Sequence, residues 1–505
     1  MRLRGITAVR IVTAACVALF YGGLVGLAVS ATFGRDDART GPVGGTALAR
    51  RDVGLTVPSE GDASVPDAAT IAGAPTTSNL GVNAVATASP PSTRPTNPAA
   101  IKSAAARPIQ VGIQFNDPSS DTAYNVLGVK GTTTGDGKGA YQALIADINA
   151  RGGLGGRKVV PVFYSNNNTQ GTFDSQSQAA CSAFTEDNRV ELAVVTGTAS
   201  RLLPSCMAAH HVPTLPVGNI ILDDTLMSQW APYVYWEGML SLDRWAPWID
   251  LLASNGYFDP GARVGLVAYD TAMHHRVVER VITPALARVK HAPVDVAYVG
   301  EPQSVSGLGS SATELSNVIL RFRSQQIDHV MFVATQGAVP FLWMPEADSQ
   351  GYRPRYGLTT ADFPYVVQAN ASANQMRGAL GMGWTPVRDV NYAQDPGGNP
   401  AATRCEALMA KAGNASSDRS ADWQSHIAPC EAMFFFEAVM AHGGEAGGAA
   451  FRSGVDQLGT SYESPHTFAT RFVSGHFDGA SKVRLLRYDQ GCACFSYAGP
   501  LVDVP

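Results

Sequence analysis

Four glycines fall within five positions of the stretch ADINARGGLGGRKVVPVFYS (146–165): Gly152, Gly153, Gly155 and Gly156. Glycine at that density can cradle a phosphate when a strand precedes it and a helix follows, so that the helix N-terminus meets the anion. Here the order is reversed. Upstream, Ala140, Leu144, Ile145 and Ile148 form one apolar stripe of a helix, and downstream RKVVPVFYS has the Val and aromatic content of a strand. The glycines therefore read as a helix stop and a tight turn. A second glycine-rich run, GTTTGDGKGA (131–140), lacks the first glycine at the required spacing and has Gly139 where Ser or Thr would hold magnesium. The adjacent His274 and His275 invite a catalytic or metal reading, yet no Gly-x-Ser-x-Gly elbow or His-Glu-x-x-His helix accompanies them. They read as the start of an amphipathic helix, and neither an enzyme nor a cofactor is expected.

Six cysteines lie in the second part of the chain: Cys181, Cys206, Cys405, Cys430, Cys492 and Cys494. An even number in an exported chain points to disulfides, with nearest-neighbour pairing as the expectation among fifteen connectivities. The Cys492–Cys494 pair is its weak point, because a bridge between residues two apart is geometrically strained. A zinc site would need His or Cys pairs at ligand spacing, which His466 and His476 do not supply.

Export is read from the N-terminus. Arg2, Arg4 and Arg10 precede an uncharged run from Ile11 to Phe33, the polarity of a signal peptide with a stretch long enough to span a bilayer. Residues 1–34 are expected to be a signal peptide or a membrane anchor, and Cys16 after Thr-Ala-Ala makes only a faint lipidation motif. Residues 35–107 are rich in Ala, Pro, Thr and Ser with almost no aromatics, so they build no core and read as a solvated tether. A net charge of −5 over 505 residues gives no field to attract nucleic acid.

The remainder alternates. IQVGIQF (109–115), the strand after the glycines, VELAVVTG (190–197) and VPTLPVG (212–218) are separated by helical patterns, and ARVGLVAY (262–269), VDVAYVG (294–300) and HVMFVAT (329–335) repeat the arrangement. YGLTT and GALGMGW add short strands, and strands and turns are expected from about 466 to 498. Such alternation implies two α/β lobes with mostly parallel sheets. Doubly wound lobes place ligands at the C-terminal ends of their strands, and paired lobes make a cleft there. The loops that would line it hold Asn116 and Asp117, TGTAS (196–200), Gly218 and Asn219, YDTAMHH (269–275), TQG (335–337) and TTAD (359–362).

From about 108 to 495 the chain resembles the type I periplasmic binding proteins, specifically the leucine/isoleucine/valine-type substrate-binding subunits of ABC transporters. The carriers are DINARGGLGGRKVVPVFYSNN, which is similar to that family's INxxGGxxGxxxxxxxxD signature, then HHVPTLPVG and the helix CEAMFFFEAVMAHGG. The resemblance implies an α/β fold of two doubly wound lobes with a hinge and an interlobe cleft, lobe one taking 108–237 plus 365–455 and lobe two 238–364 plus 456–505. It also implies that hydroxyls and backbone N–H groups around Thr198, Ser200, Gly218 and Asn219 hold a ligand carboxylate, with Asp362 holding an ammonium. Capping of the following helix is the alternative for Thr198 and Ser200. In the loop that often carries Asp and then Tyr-Gly, this chain has Asp270, Met273 and His274; where a further tyrosine is common it has Thr335 or Gln336. Trp236 enters lobe two, either as a stacking wall or as hinge packing. The implied function is extracytoplasmic capture of a small, amino-acid-like ligand by a monomer that serves ABC permease subunits, with the membrane reached through the N-terminal segment. A cell-surface sensing or scaffold role is the alternative, and a degenerate cleft is a third.

Overall fold

The computed structural model describes residues 107–121, 125, 128–167, 169–196, 200–217, 220–336, 338–415 and 418–505. The expected leader and all of the tether but Arg107 lie outside these residues. Four parallel strands, β1 (Ile109–Asn116), β2 (Val159–Asn166), β3 (Leu192–Val195) and β4 (Thr214–Pro216), form a sheet in the order β2-β1-β3-β4. Seven more form a second sheet: β5 (Val264–Tyr269), β6 (Pro293–Val299), β7 (His329–Val333), β8 (Arg355–Thr359), β9 (Leu380–Gly383), β10 (Lys482–Asp489) and β11 (Cys494–Asp503). Their order is β11-β10-β9-β8-β7-β5-β6, parallel except for the two pairings made by β10. Every residue of β3, β5 and β7 is buried, as strands covered by helices on both faces require.

The glycine stretch folds as its element order demands. The helix Gly137–Ala150 starts on Asp136, whose carboxylate accepts from Gly139 N at 2.9 Å, and buries Ala140, Tyr141, Leu144, Ile145 and Ile148 against the first sheet. It stops before Gly153, whose φ is +87° and whose missing Cβ would fall 2.0 Å from the Arg157 carbonyl oxygen. Reciprocal backbone bonds of 2.9 Å between Leu154 and Arg157 then turn the chain into β2.

The chain passes from the first sheet to the second between β4 and β5, returns after β9, and crosses again before β10. The helix Ala428–Ala441 packs Phe434, Phe435 and Phe436 into the first sheet's core, with Ile109, Val111 and Tyr141. The expected division near residue 365 is therefore displaced. Leu380–Gly383 pairs in parallel with β8, so the second sheet gains a strand before the chain leaves it. The crossings are tied together: Trp236 N donates to Phe477 O at 2.6 Å, Ala480 N to Met239 O at 2.9 Å, and Thr467 Oγ1 to Trp384 O at 2.9 Å. Tryptophans mark this region. Trp236, Trp245, Trp248 and Trp384 are all essentially unexposed, with Trp245 and Trp384 rings 6.0 Å apart.

Disulfides join Cys181 to Cys206, Cys405 to Cys430 and Cys492 to Cys494. Among the described residues, no group of His, Cys, Asp and Glu is arranged to hold a metal ion, and no helix is long and apolar enough to cross a membrane.

Candidate functional site

Each sheet reverses its direction of winding once, between β1 and β3 in the first and between β5 and β7 in the second. Ligands of open α/β sheets bind outside the strand ends at such points. Asn116 ends β1, buried, its side-chain oxygen accepting from Asn166 Nδ2 at 3.2 Å. Beyond β3 lies Ser200, whose hydroxyl donates to Asp174 Oδ1 at 2.5 Å and accepts from Leu202 N at 3.1 Å. The helix Leu202–Ala209 has Arg201 as its N-cap with no side-chain cap, so Ser200 touches the helix start from one residue further out. Thr198, Gly218 and Asn219 lie outside the described residues.

Loops from the two sheets meet around Ser200. Arg201 reaches Glu301, which follows β6, in a two-pronged ion pair of 2.9 and 3.1 Å, and Phe173 N donates to Gln303 O at 2.9 Å. Phe173, Asp174, Ser200, Arg201, Leu202, Glu301, Pro302 and Gln303 line a cavity of about 310 Å³. Of these, only Ser200 was among the residues expected at the cleft; Asp174, Arg201 and Glu301 were not. The loops after β3 were followed as cleft candidates, whereas the loop after β6 was not.

In the second sheet, Asp270 is an exposed partner of His275 at 2.8 Å. Met273 is 4% exposed within the main apolar cluster, and Trp236 is 1% exposed in that cluster. Both are core residues in this structure rather than cleft walls, because the helix Ala272–Val277 and the first crossing turn them inward. His274 is buried as well: Nδ1 meets Thr271 Oγ1 at 2.8 Å and Nε2 meets Ala334 O at 3.2 Å, and burial pushes its pKa down to about 3, so it carries no charge.

The turn after β8 carries Asp362, which is fully buried. Its Oδ2 accepts from Thr359 N at 2.8 Å and Thr359 Oγ1 at 3.1 Å in a capping box. Thr335 is buried nearby, its carbonyl oxygen accepting from Tyr269 Oη at 2.9 Å. Desolvation outweighs these bonds and raises the Asp362 pKa to about 8. Asp362 is thus a neutral acid at pH 7 in this conformation. Gln336 sits beside Thr335 with φ +55°. Next to this turn, Thr360 Oγ1 donates to Asp389 Oδ2 at 2.8 Å and accepts from Trp384 N at 2.8 Å, which fastens the ends of β8 and β9 together.

Two doubly wound lobes, three tied crossings and polar loops facing each other at the strand ends define a hinged solute-binding fold. The chain belongs to the periplasmic binding protein family, whose model matches residues 126–493. That family is one of binding proteins that work outside the cytoplasm. Similar solved structures include an ABC transporter substrate-binding protein from Desulfitobacterium hafniense in complex with Leu, with 14% identity, TM-score 0.51, and coverage of 77% of this chain and 99% of that one. A branched-chain amino acid ABC transporter from Thermus thermophilus with bound valine gives 15%, 0.54, 78% and 97%. A solute-binding protein from R. palustris in complex with 4-hydroxybenzoate gives 13%, 0.54, 79% and 98%. No curated protein matches the chain in sequence.

Proposed function

We propose that this protein captures a small organic solute between its two lobes outside the cytoplasm and presents the closed form to an ABC permease, acting as a monomeric receptor and not as an enzyme. The observation that carries this reading is the meeting of strand-end loops from both sheets, through Arg201 with Glu301 and Phe173 with Gln303. Only contacts made on both lobes can favour closure, since a ligand shifts an equilibrium by its differential affinity for the two states. In this reading lobe one comprises about 108–235 with 386–463, and lobe two the remainder to 505. Asn116, Ser200, Thr335, Gln336 and Asp362 lie toward the cleft in this reading. Relatives in complex with leucine, valine or 4-hydroxybenzoate make amino acids and aromatic acids the solutes to try. The Ala/Pro-rich segment 35–107, with the apolar run before it, suits attachment at a cell surface.

Thermal unfolding of the oxidised protein against amino acids, their amides, aromatic acids, sugars and polyamines tests the reading, with calorimetry on hits. Selective binding raises stability by about 2.7 kcal/mol at a hundred times the dissociation constant. A flat response across all classes would remove solute capture and favour a sensing or scaffold role.

A further inference from the structure

Arg388 lies in the short turn Pro386–Asp389 that follows β9, where the second crossing begins. It is 2% exposed, yet Nε and Nη2 meet no acceptor among the described residues, and Nη1 reaches only the Met239 sulfur at 3.6 Å. Its guanidinium lies against two rings, with the centroids of Phe363 3.6 Å and Trp423 4.8 Å from the charge centre. Phe363 follows Asp362 directly, and Trp423 belongs to the first lobe's apolar core, so the cation stands between the lobes.

The adjacent Asp389 carboxyl interacts with this charge through space but does not pair with it. The neighbouring Asp389 spends Oδ2 on Thr360, on Tyr497 at 2.5 Å and on Thr385 N at 3.2 Å, and forms no hydrogen bond with Arg388. His466, edge-on to Trp423 at 4.7 Å, is held uncharged by burial and by Arg388. A buried guanidinium with two unmet donors is strongly unfavourable unless an anion meets it. The two unmet donors, Nε and Nη2, are adjacent on one side of the guanidinium fork, the side that a carboxylate can meet in a two-pronged pair. Phe363 is only partly buried and offers an apolar surface to the rest of such a ligand.

We propose that Arg388 is the anchor of a carboxylate subsite, taking the carboxylate of a small monocarboxylic acid whose apolar body rests on Phe363. This rests on the solute-capture reading above and deepens it: the solute is an acid recognised at its carboxylate by Arg388, and no ammonium group is needed at the neutral Asp362.

The test titrates the oxidised protein with acids paired with their neutral primary amides, benzoate with benzamide, phenylacetate with phenylacetamide and leucine with leucinamide, plus inorganic phosphate. Binding is read by calorimetry and thermal shift. At least one acid should bind at least a hundredfold more tightly than its amide, phosphate should not replace it, and Arg388→Gln should abolish the difference. Arg388→Lys, which keeps charge but loses the fork, should weaken the acid about tenfold. Should Arg388→Gln fail to fold, the lysine variant and the acid-to-amide ratio of the unaltered protein still decide the matter. Equal binding of an acid and its amide, equal binding of phosphate, or undiminished affinity in the variants would overturn the subsite while leaving solute capture standing. Silence to every acid and amide would likewise overturn the subsite, and solute capture would fall with it only if the sugars and polyamines of the wider panel were silent too.

Discussion

Replacing Asp362 by asparagine isolates one buried carboxyl. Asparagine keeps an oxygen to accept from Thr359 N and cannot ionise, so the turn after β8 survives while its titration is lost. The native pKa of about 8 against an ordinary 3.8 is a shift of about 4 units, which sets a ceiling of about 6 kcal/mol. The sign follows from proton counting. Between these values the folded chain holds a proton that the unfolded chain has released, so stability falls as pH rises through the window. Asp389, raised to about 7 by burial, and the buried pair Glu237 and Glu431, also raised by burial, act in the same direction but are present in both proteins and cancel in the comparison. Urea unfolding at pH 4.5, 6.5 and 8.5, with disulfides intact, should show wild type losing several kcal/mol more than Asp362→Asn, and the variant the more stable of the two at pH 8.5. Parallel pH profiles would refute the burial argument for this carboxyl.

The glycine turn predicts a contrast: Gly153→Ala forces a Cβ against Arg157 O and should cost roughly 2–4 kcal/mol, whereas Gly152→Ala, with open space and φ +115°, should cost only about 1 kcal/mol in denaturant melts. Removing Cys405–Cys430 by paired serine substitution should cost about 3.5 kcal/mol from the loop it closes, and removing Cys492–Cys494 roughly 1 kcal/mol, both read as changes in urea midpoint. Arg201→Ala should loosen the lobes by about 1–2 kcal/mol, roughly a tenfold shift toward open forms. Small-angle scattering should register it as a larger radius of gyration, and an unchanged radius would deny the ion pair a closing role.

Periodicity made most of the fold legible. Strands such as Val264–Tyr269 and His329–Val333 are continuous apolar runs, and a strand buried on both faces can hardly look otherwise. The boundary near 365 was not legible, because Leu380–Gly383 is four residues long with two glycines and its membership is decided by pairing with β8, a partner distant in sequence. The candidate site was read through its loops, which pointed to Ser200 and the Thr359–Asp362 turn. It could not weigh burial: Met273 and Trp236 had suitable chemistry and pack inside, while Arg388, in the unremarked sequence TPVRDV, is set between Phe363 and Trp423 by the crossing of three segments. A lone arginine announces nothing until its surroundings are assembled.

The tryptophans of the crossings give the molecule an optical gauge. Trp236 stands on the first crossing, Trp384 on the second against Trp245, and Trp423 lies 4.8 Å from the Arg388 charge, which also meets Phe363 of the other lobe. Any rotation of one lobe against the other changes what surrounds these indoles, so intrinsic emission should shift in colour and intensity as the hinge moves. Opening and closing can then be followed in real time by fluorescence, with no dye attached and no residue replaced.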